Sequence, residues 1–172
     1  WVANGVSICT ADNSQHLPVV ASDGSGGAII AWYDYRPGGN TDIYAQRIDG
    51  LGQAIWTSGG VAVCTDAANQ FNPVIVSDGS GGAIIAWDDG RGFSDIYAQR
   101  LNAMGFPMWT AGGVPICAAF GVQDAVAMTS DGAGGAILTW QDFRGPTMDV
   151  YAQRVNPMGA AVWTANGVAV CT

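Results

Sequence analysis

Short apolar segments alternate with glycine-rich stretches along the chain, which predicts strands joined by tight turns. In the first unit, four such segments predict strands at residues 6–10, 18–22, 28–34 and 42–48. The second and third are apolar on both faces, whereas a half-exposed strand would alternate apolar and polar side chains. A small sheet that is buried on both faces must lie between other sheets, as a blade does in a β-propeller.

The same pattern recurs three times. Each unit reads W-x-x-x-G-V-x-[IV]-C, then S-D-G-x-G-G-A-I, W-x-D-x-R and D-[IV]-Y-A-Q-R, with a period of about 54 residues. All length variation lies between W-x-D-x-R and D-[IV]-Y-A-Q-R, which indicates a surface hairpin loop. We therefore predict a single repeat domain over residues 1–172, with units at 1–55, 56–108 and 109–162 and a partial fourth unit at 163–172.

The predicted fold class is all-β. Three tandem four-stranded antiparallel meanders, with one extra strand, would pack in the manner of β-propeller blades. A β-trefoil or β-prism with internal threefold symmetry is the alternative, because their repeats also contain about four strands.

Composition narrows the partners. All six basic residues are Arg, all fourteen acidic residues are Asp, and the net charge is −8. This balance argues against a nucleic-acid partner, since no basic patch exists to neutralise phosphates. No apolar run reaches the roughly 18 residues of a membrane span, so membrane insertion is not expected.

The motif S-D-G-x-G-G-A-I-x-A-W-x-D-x-R, followed by D-I-Y-A-Q-R, resembles a repeat of large bacterial secreted and cell-surface proteins. Such repeats are regarded as propeller-like blades, and the resemblance covers the whole chain. It implies a secreted or cell-surface location of the bacterial type. The turn is also similar to the Asp-box hairpin of sialidases, in which one residue separates Ser from Asp and an aromatic residue follows shortly after the Gly. In this chain Ser22 and Asp23 are adjacent and Trp32 is distant. Sialidase activity is therefore not carried over.

Several recurring residues are interpreted as scaffold. Closing the variable loop places Arg36 opposite Asp42, Asp34 opposite Tyr44 and Trp32 opposite Gln46. In this interpretation the arginines neutralise the carboxylates near the loop, and the tryptophans pack in the core. The Arg–Asp pairs are Arg36 with Asp42, Arg91 with Asp95 and Arg144 with Asp149, and the core tryptophans are Trp32, Trp87 and Trp140.

The cysteines occupy one position per unit. Disulfide-bonded Cα atoms lie within about 7 Å, and equivalent positions are separated by a whole unit, so buried free thiols are favoured over bridges. No C-x-x-C spacing suggests a metal site. The four positions are Cys9, Cys64, Cys117 and Cys171.

Enzymatic chemistry is not expected, and neither is a cofactor. Asp34 with Asp42 could be a calcium site or the paired carboxylates of a glycosidase, but three identical copies are more typical of a structural network. His16 is the only histidine, so neither a catalytic triad nor a zinc site can be assembled around it.

The leading functional hypothesis is a non-enzymatic extracellular structural or adhesive module. Three blades would leave unpaired edges and apolar faces, which favours self-association into a ring or fibre, or continuation into a longer repeat array. One alternative is a lectin-like module that binds a glycan through the loops at 37–41, 92–94 and 145–148. A more remote alternative is the propeller domain of a secreted hydrolase.

Overall fold

A computed structural model describes residues 2–36 and 39–171, and these residues form twelve strands and no helix. The strands make three separate four-stranded antiparallel meanders, so the predicted all-β class is confirmed. No segment of the described chain is a helix able to span a bilayer. Sheet one contains β1 (Gln15–Ser22), β2 (Ala28–Asp34), β3 (Asp42–Ile48) and β4 (Val61–Cys64); sheet two contains β5 (Gln70–Ser77), β6 (Ala83–Asp89), β7 (Asp95–Leu101) and β8 (Val114–Cys117); sheet three contains β9 (Gln123–Ser130), β10 (Ala136–Asp142), β11 (Asp149–Val155) and β12 (Val168–Cys171).

The prediction of a strand at residues 6–10 was wrong. These residues form no strand, and their counterparts in the later units are the fourth strands of the preceding sheets. After β3 the chain makes a tight turn, closed by a bridge between Ile48 and Ala54, and returns beside β3 as β4. Short connections favour antiparallel neighbours, so each sheet crosses a boundary of the sequence repeat. Residues 6–10 pair with none of the twelve described strands.

The turn between β1 and β2 is held by its aspartate. In sheet one, Asp23 Oδ1 accepts the backbone N–H of Ser25 at 2.8 Å and of Gly27 at 2.9 Å. The turn also needs a positive φ of 88° at Gly26, which favours glycine. Arg47 from β3 donates to Asp23 Oδ2 at 2.9 Å, which explains the recurrence of both S-D-G and Q-R.

Sheet two lies in the middle and is buried on both sides. Every residue of β6 is buried. One face, with Ile85 and Trp87, packs on Ile29 of sheet one, while the other face, with Ile84, packs on Leu138 of sheet three. Burial of β6 on both faces accounts for its apolar run at residues 83–87.

The predicted register of the β2–β3 hairpin was wrong by two residues. Asp34 lies opposite Asp42, Trp32 opposite Tyr44 and Ile30 opposite Gln46. Asp34 Oδ1 accepts the backbone N–H of Arg36 at 2.7 Å, so the chain leaves the ladder directly after Asp34 and the loop is longer than predicted. Because the shift is even, the predicted face of each side chain is unchanged.

Candidate functional site

A buried aspartate organises the loop end of each sheet. In sheet three, Asp142 Oδ2 accepts the indole N–H of Trp140 at 2.8 Å, and Oδ1 accepts the backbone N–H of Arg144 at 2.9 Å. The Arg144 guanidinium adds two bonds, Nε to Oδ1 at 2.8 Å and Nη2 to Oδ2 at 2.5 Å. Asp142 has 0% of its surface exposed, so its charge is balanced by a fork-shaped ion pair.

The arginine of this network also connects neighbouring strands and repeats. Arg144 stacks on the Tyr151 ring at 3.8 Å, and its Nη2 donates to the Asn166 carbonyl at 2.8 Å and lies 3.3 Å from Cys117 Sγ of sheet two. Arg36 and Arg91 have the matching contacts. Their partners are Tyr44, Gly59 and Cys9 for Arg36, and Tyr97, Gly112 and Cys64 for Arg91.

The predicted pairing of each arginine with the aspartate across the loop was wrong. Arg36, Arg91 and Arg144 bind the aspartate two positions earlier in their own segment, at 2.6, 2.8 and 2.5 Å. The earlier turn brings each guanidinium back onto that carboxylate. Asp42 instead accepts the side-chain N–H of Asn40 at 2.9 Å. The aspartates that the prediction assigned to these arginines are Asp42, Asp95 and Asp149.

The pKa values of the two carboxylates in the sheet-one hairpin shift in opposite directions. Burial alone would raise the pKa of Asp34, but hydrogen bonds from Arg36 and the Trp32 indole lower it below the ordinary value. Burial raises the pKa of Asp42, which lacks such donors, and the charge of Asp34 raises it further. The same burial raises the pKa of Asp95. The carboxylate opposite Asp42 is thus already saturated with donors.

The four cysteines are free, but only two are buried. Burial raises the pKa of Cys64 and of Cys117 to about 11, so both thiols are protonated at neutral pH. Cys9 is partly exposed and Cys171 is exposed, which corrects the prediction that all four are buried. The difference arises because only the middle two lie between two sheets. In the described part of the chain, no three His, Cys or Asp side chains cluster as metal ligands.

An aromatic cluster at the loop end of sheet one was missed by the sequence analysis. His16 stacks on Tyr33 with ring centroids 5.3 Å apart, and Tyr35 and Phe71 meet Tyr33 edge-on at 5.9 and 5.8 Å. An open cavity of about 400 Å³ lies beside His16 and Tyr35. The signal was present in the variable positions of W-x-D-x-R, because only the first unit has tyrosine at both.

The outer face of sheet three repeats a pattern that is buried elsewhere. Val170 is 64% exposed, whereas its counterparts Val63 and Ile116 are 4% and 3% exposed against the next sheet. The face also contains Thr139, whose hydroxyl donates to the Tyr151 carbonyl within its own sheet at 2.8 Å. We define this outer face by Thr129, Ile137, Thr139, Val150 and Val170.

The outer face of sheet one corresponds to the face with which sheet two packs on sheet one and sheet three packs on sheet two. Val20 is 66% exposed, and Ile30 is half-buried where its equivalents Ile85 and Leu138 are fully buried. We define this outer face by Val20, Ala28, Ile30 and Trp32.

Two polar groups on sheet three lack the inter-repeat contacts of their equivalents. Arg47 Nη1 and the Trp56 indole both donate to the Ala103 carbonyl, at 2.9 and 3.1 Å, and thereby join sheet one to the turn after β7. Arg154 and Trp163 occupy the same positions in sheet three, but among residues 2–36 and 39–171 neither Arg154 Nη1 nor the Trp163 indole has a carbonyl partner. Trp163 is accordingly 37% exposed. Sheet three thus presents donors as well as an apolar face.

Comparison with protein-family models and with curated proteins finds no match for this chain. The resemblance to bacterial secreted repeats therefore stays a prediction that rests on the motif.

Proposed function

We propose that the chain is a non-enzymatic extracellular structural module that works by binding further copies of itself. The outer face of sheet three of one copy stacks on the outer face of sheet one of the next. Adhesion or surface assembly at a bacterial cell would follow from such stacking.

The observation that carries this proposal is the equivalence of the outer and inner faces. Ile137 and Val150 stand where Ile84 and Ile96 pack against sheet three, so the outer face presents the residue types of an interface that already exists inside the chain. Arg154 would donate outward as Arg47 donates to the Ala103 carbonyl at 2.9 Å. Complete burial of a Val or Ile side chain contributes roughly 1.5–3 kcal/mol, so a few such residues can drive association.

The proposal includes no catalytic role because of the chemistry of the recurring residues. Asp34 and Asp142 are occupied by an arginine and an indole, and the thiols of Cys64 and Cys117 are held protonated by burial. None of these groups is prepared to act as a nucleophile or general base.

Sedimentation velocity across a wide concentration range tests the proposal. Head-to-tail contacts give closed rings if the rotation between copies closes and fibres if it does not, and the limiting mass distinguishes these two products. We expect mass to increase with concentration for the unmodified chain. Ile137→Asp on sheet three and Val20→Asp on sheet one should each weaken association.

Met158→Asp is the matched control. Its equivalent Met104 is 68% exposed although sheet two is covered on both faces, so stacking does not bury this position. The control should associate like the unmodified chain. A chain that stays monomeric at every concentration, or equal weakening by all three variants, would contradict the proposal.

The aromatic cluster favours a second candidate function, glycan binding. Tyr35 is 39% exposed beside the open cavity, and an exposed aromatic ring next to polar groups suits stacking on a sugar. Tyr35→Ala should abolish binding on a glycan array if this function is present. Phe93→Ala changes a 67% exposed ring in the loop at 92–94, which does not line this cavity, so this variant should retain binding if the Tyr35 cavity is the site.

A further inference from the structure

One sequence element occurs at both ends of the described chain. Residues 6–9 read V-S-I-C and β12 reads V-A-V-C, and the same element forms β4 and β8. In β12 it is hydrogen-bonded to β11, with Ala152 opposite Val168 and Val150 opposite Cys171. Residues 6–9 belong to no strand.

Residues 6–9 nevertheless lie on sheet one where the fourth strand of a preceding sheet would lie. Cys9 Sγ is 3.2 Å from Arg36 Nη2, as Cys117 of β8 is 3.3 Å from Arg144 of the following sheet. Ile8 and Cys9 also border a cavity with Ile30 of sheet one.

Two equivalent cavities also place residues 7–10 on sheet one where the fourth strand of a preceding sheet would lie. A surface cavity lies between residues 7–10 and residues 54–59, and an equivalent cavity lies between residues 62–65 and 107–112. The latter lies between β4 and the turn that precedes β8. Residues 7–10 therefore relate to sheet one as β4 relates to sheet two.

A second copy stacked on sheet one would bring its own β12 to this place. The fourth strand of its sheet three would have to lie against Arg36, which Cys9 already contacts, and beside Ile30, next to the cavity that Ile8 and Cys9 border. Two copies of one element cannot occupy a single position, so one must leave.

We propose that residues 6–9 act as a built-in competitor that restrains self-association of the chain, and that they are displaced when a second copy stacks on sheet one. This inference rests on the proposed function above. The N-terminal segment yields rather than β12, because β12 is held by backbone hydrogen bonds to β11 and residues 6–9 have no strand partner among the described residues.

The competitor lowers the apparent affinity in proportion to the time it spends docked. Only molecules whose segment is released can bind a second copy on sheet one. The apparent dissociation constant therefore rises as the released fraction falls. A segment docked nine-tenths of the time would weaken association about tenfold. Weakening the segment should therefore strengthen binding between copies.

Matched aspartate substitutions in the full chain test this. Ile8 and Val170 hold the same position in the repeated element, but Ile8 belongs to the competitor and Val170 to the strand that replaces it. Ile8→Asp should lower the apparent dissociation constant about tenfold, whereas Val170→Asp should raise it by a similar factor. Sedimentation equilibrium measures both constants, and near-UV circular dichroism checks that each variant keeps its tryptophan packing.

Deletion of residues 1–10 provides an independent variant. It removes none of the twelve strands, so the three sheets should remain folded, and it should strengthen association at least as much as Ile8→Asp. If the unmodified chain associates but both variants leave the constant unchanged or increase it, the competitor is refuted while the proposed function survives. If every variant stays monomeric, another occupant covers these faces and both proposals are overturned.

Discussion

Removal of the Arg144 guanidinium tests how much stability depends on the buried ion pair. Arg144→Met keeps much of the aliphatic stem but takes away the two guanidinium hydrogen bonds to Asp142, which is 0% exposed. The bonds from the Trp140 indole and the backbone remain. An uncompensated buried charge costs about 3–5 kcal/mol, and the remaining donors favour the lower end. We expect a loss of about 3 kcal/mol, or roughly 6–12 °C in Tm for a chain of this size.

The pH dependence of this loss is part of the prediction. In the unmodified chain the pKa of Asp142 is lowered because hydrogen bonds from Arg144 and Trp140 outweigh the effect of burial. Its ionised form therefore stabilises the fold above the ordinary pKa of Asp, and this stabilisation is lost as pH falls. Without Arg144, burial raises the pKa of Asp142, so the deficit should be largest near neutral pH and shrink below about pH 4.

Urea unfolding at several pH values measures the free energies. Adding Asp142→Asn to Arg144→Met should recover part of the loss, because no charge then remains buried. Asp149→Asn, also added to Arg144→Met, is the comparison. If Arg144 bound Asp149 across the loop, this substitution would recover as much stability as Asp142→Asn does. A loss below about 1 kcal/mol for Arg144→Met, or an equal loss at acidic and neutral pH, would refute the reasoning.

Three further predictions follow from burial and backbone geometry. Burial raises the pKa of Asp88, so the charge of this side chain destabilises the fold above that pKa. Asp88→Asn should therefore raise Tm at pH 7, and this gain should fade toward acidic pH. A lower Tm at pH 7 would contradict the prediction. Gly113→Ala should destabilise the chain by a few kcal/mol, because φ is +89° and a Cβ would lie 2.7 Å from an indole ring, whereas Gly132→Ala, also at positive φ but in open space, should cost only about 1 kcal/mol in urea unfolding. Under native conditions Cys171 should react with a thiol reagent much faster than Cys64, whose pKa is about 11; equal rates would contradict the described burial.

The repeat pattern anticipated much of the fold. Glycine-rich turns and doubly apolar runs identify β1 and β2 and their equivalents, because a turn that needs positive φ and a strand without a polar face are local requirements. Parity also placed the side chains of the β2–β3 hairpin on the correct faces.

The candidate site was anticipated only in its components. W-x-D-x-R identifies the tryptophan, aspartate and arginine, but the arginine was assigned to the wrong aspartate. The choice between Asp34 and Asp42 depends on where the chain leaves the ladder, which a single backbone hydrogen bond to Asp34 decides. The cluster of His16, Tyr33 and Phe71 joins two sheets and so depends on their packing.

By itself the sequence determined the class of fold, the number of repeats and the residues that recur, since periodicity and turn chemistry act over a few neighbouring positions. Only the tertiary structure decided which sheet each V-x-[IV]-C element joins, because an edge strand is assigned by the backbone partner available to it in space. That assignment pairs β12 with β11 and leaves residues 6–9 on sheet one without a strand of their own.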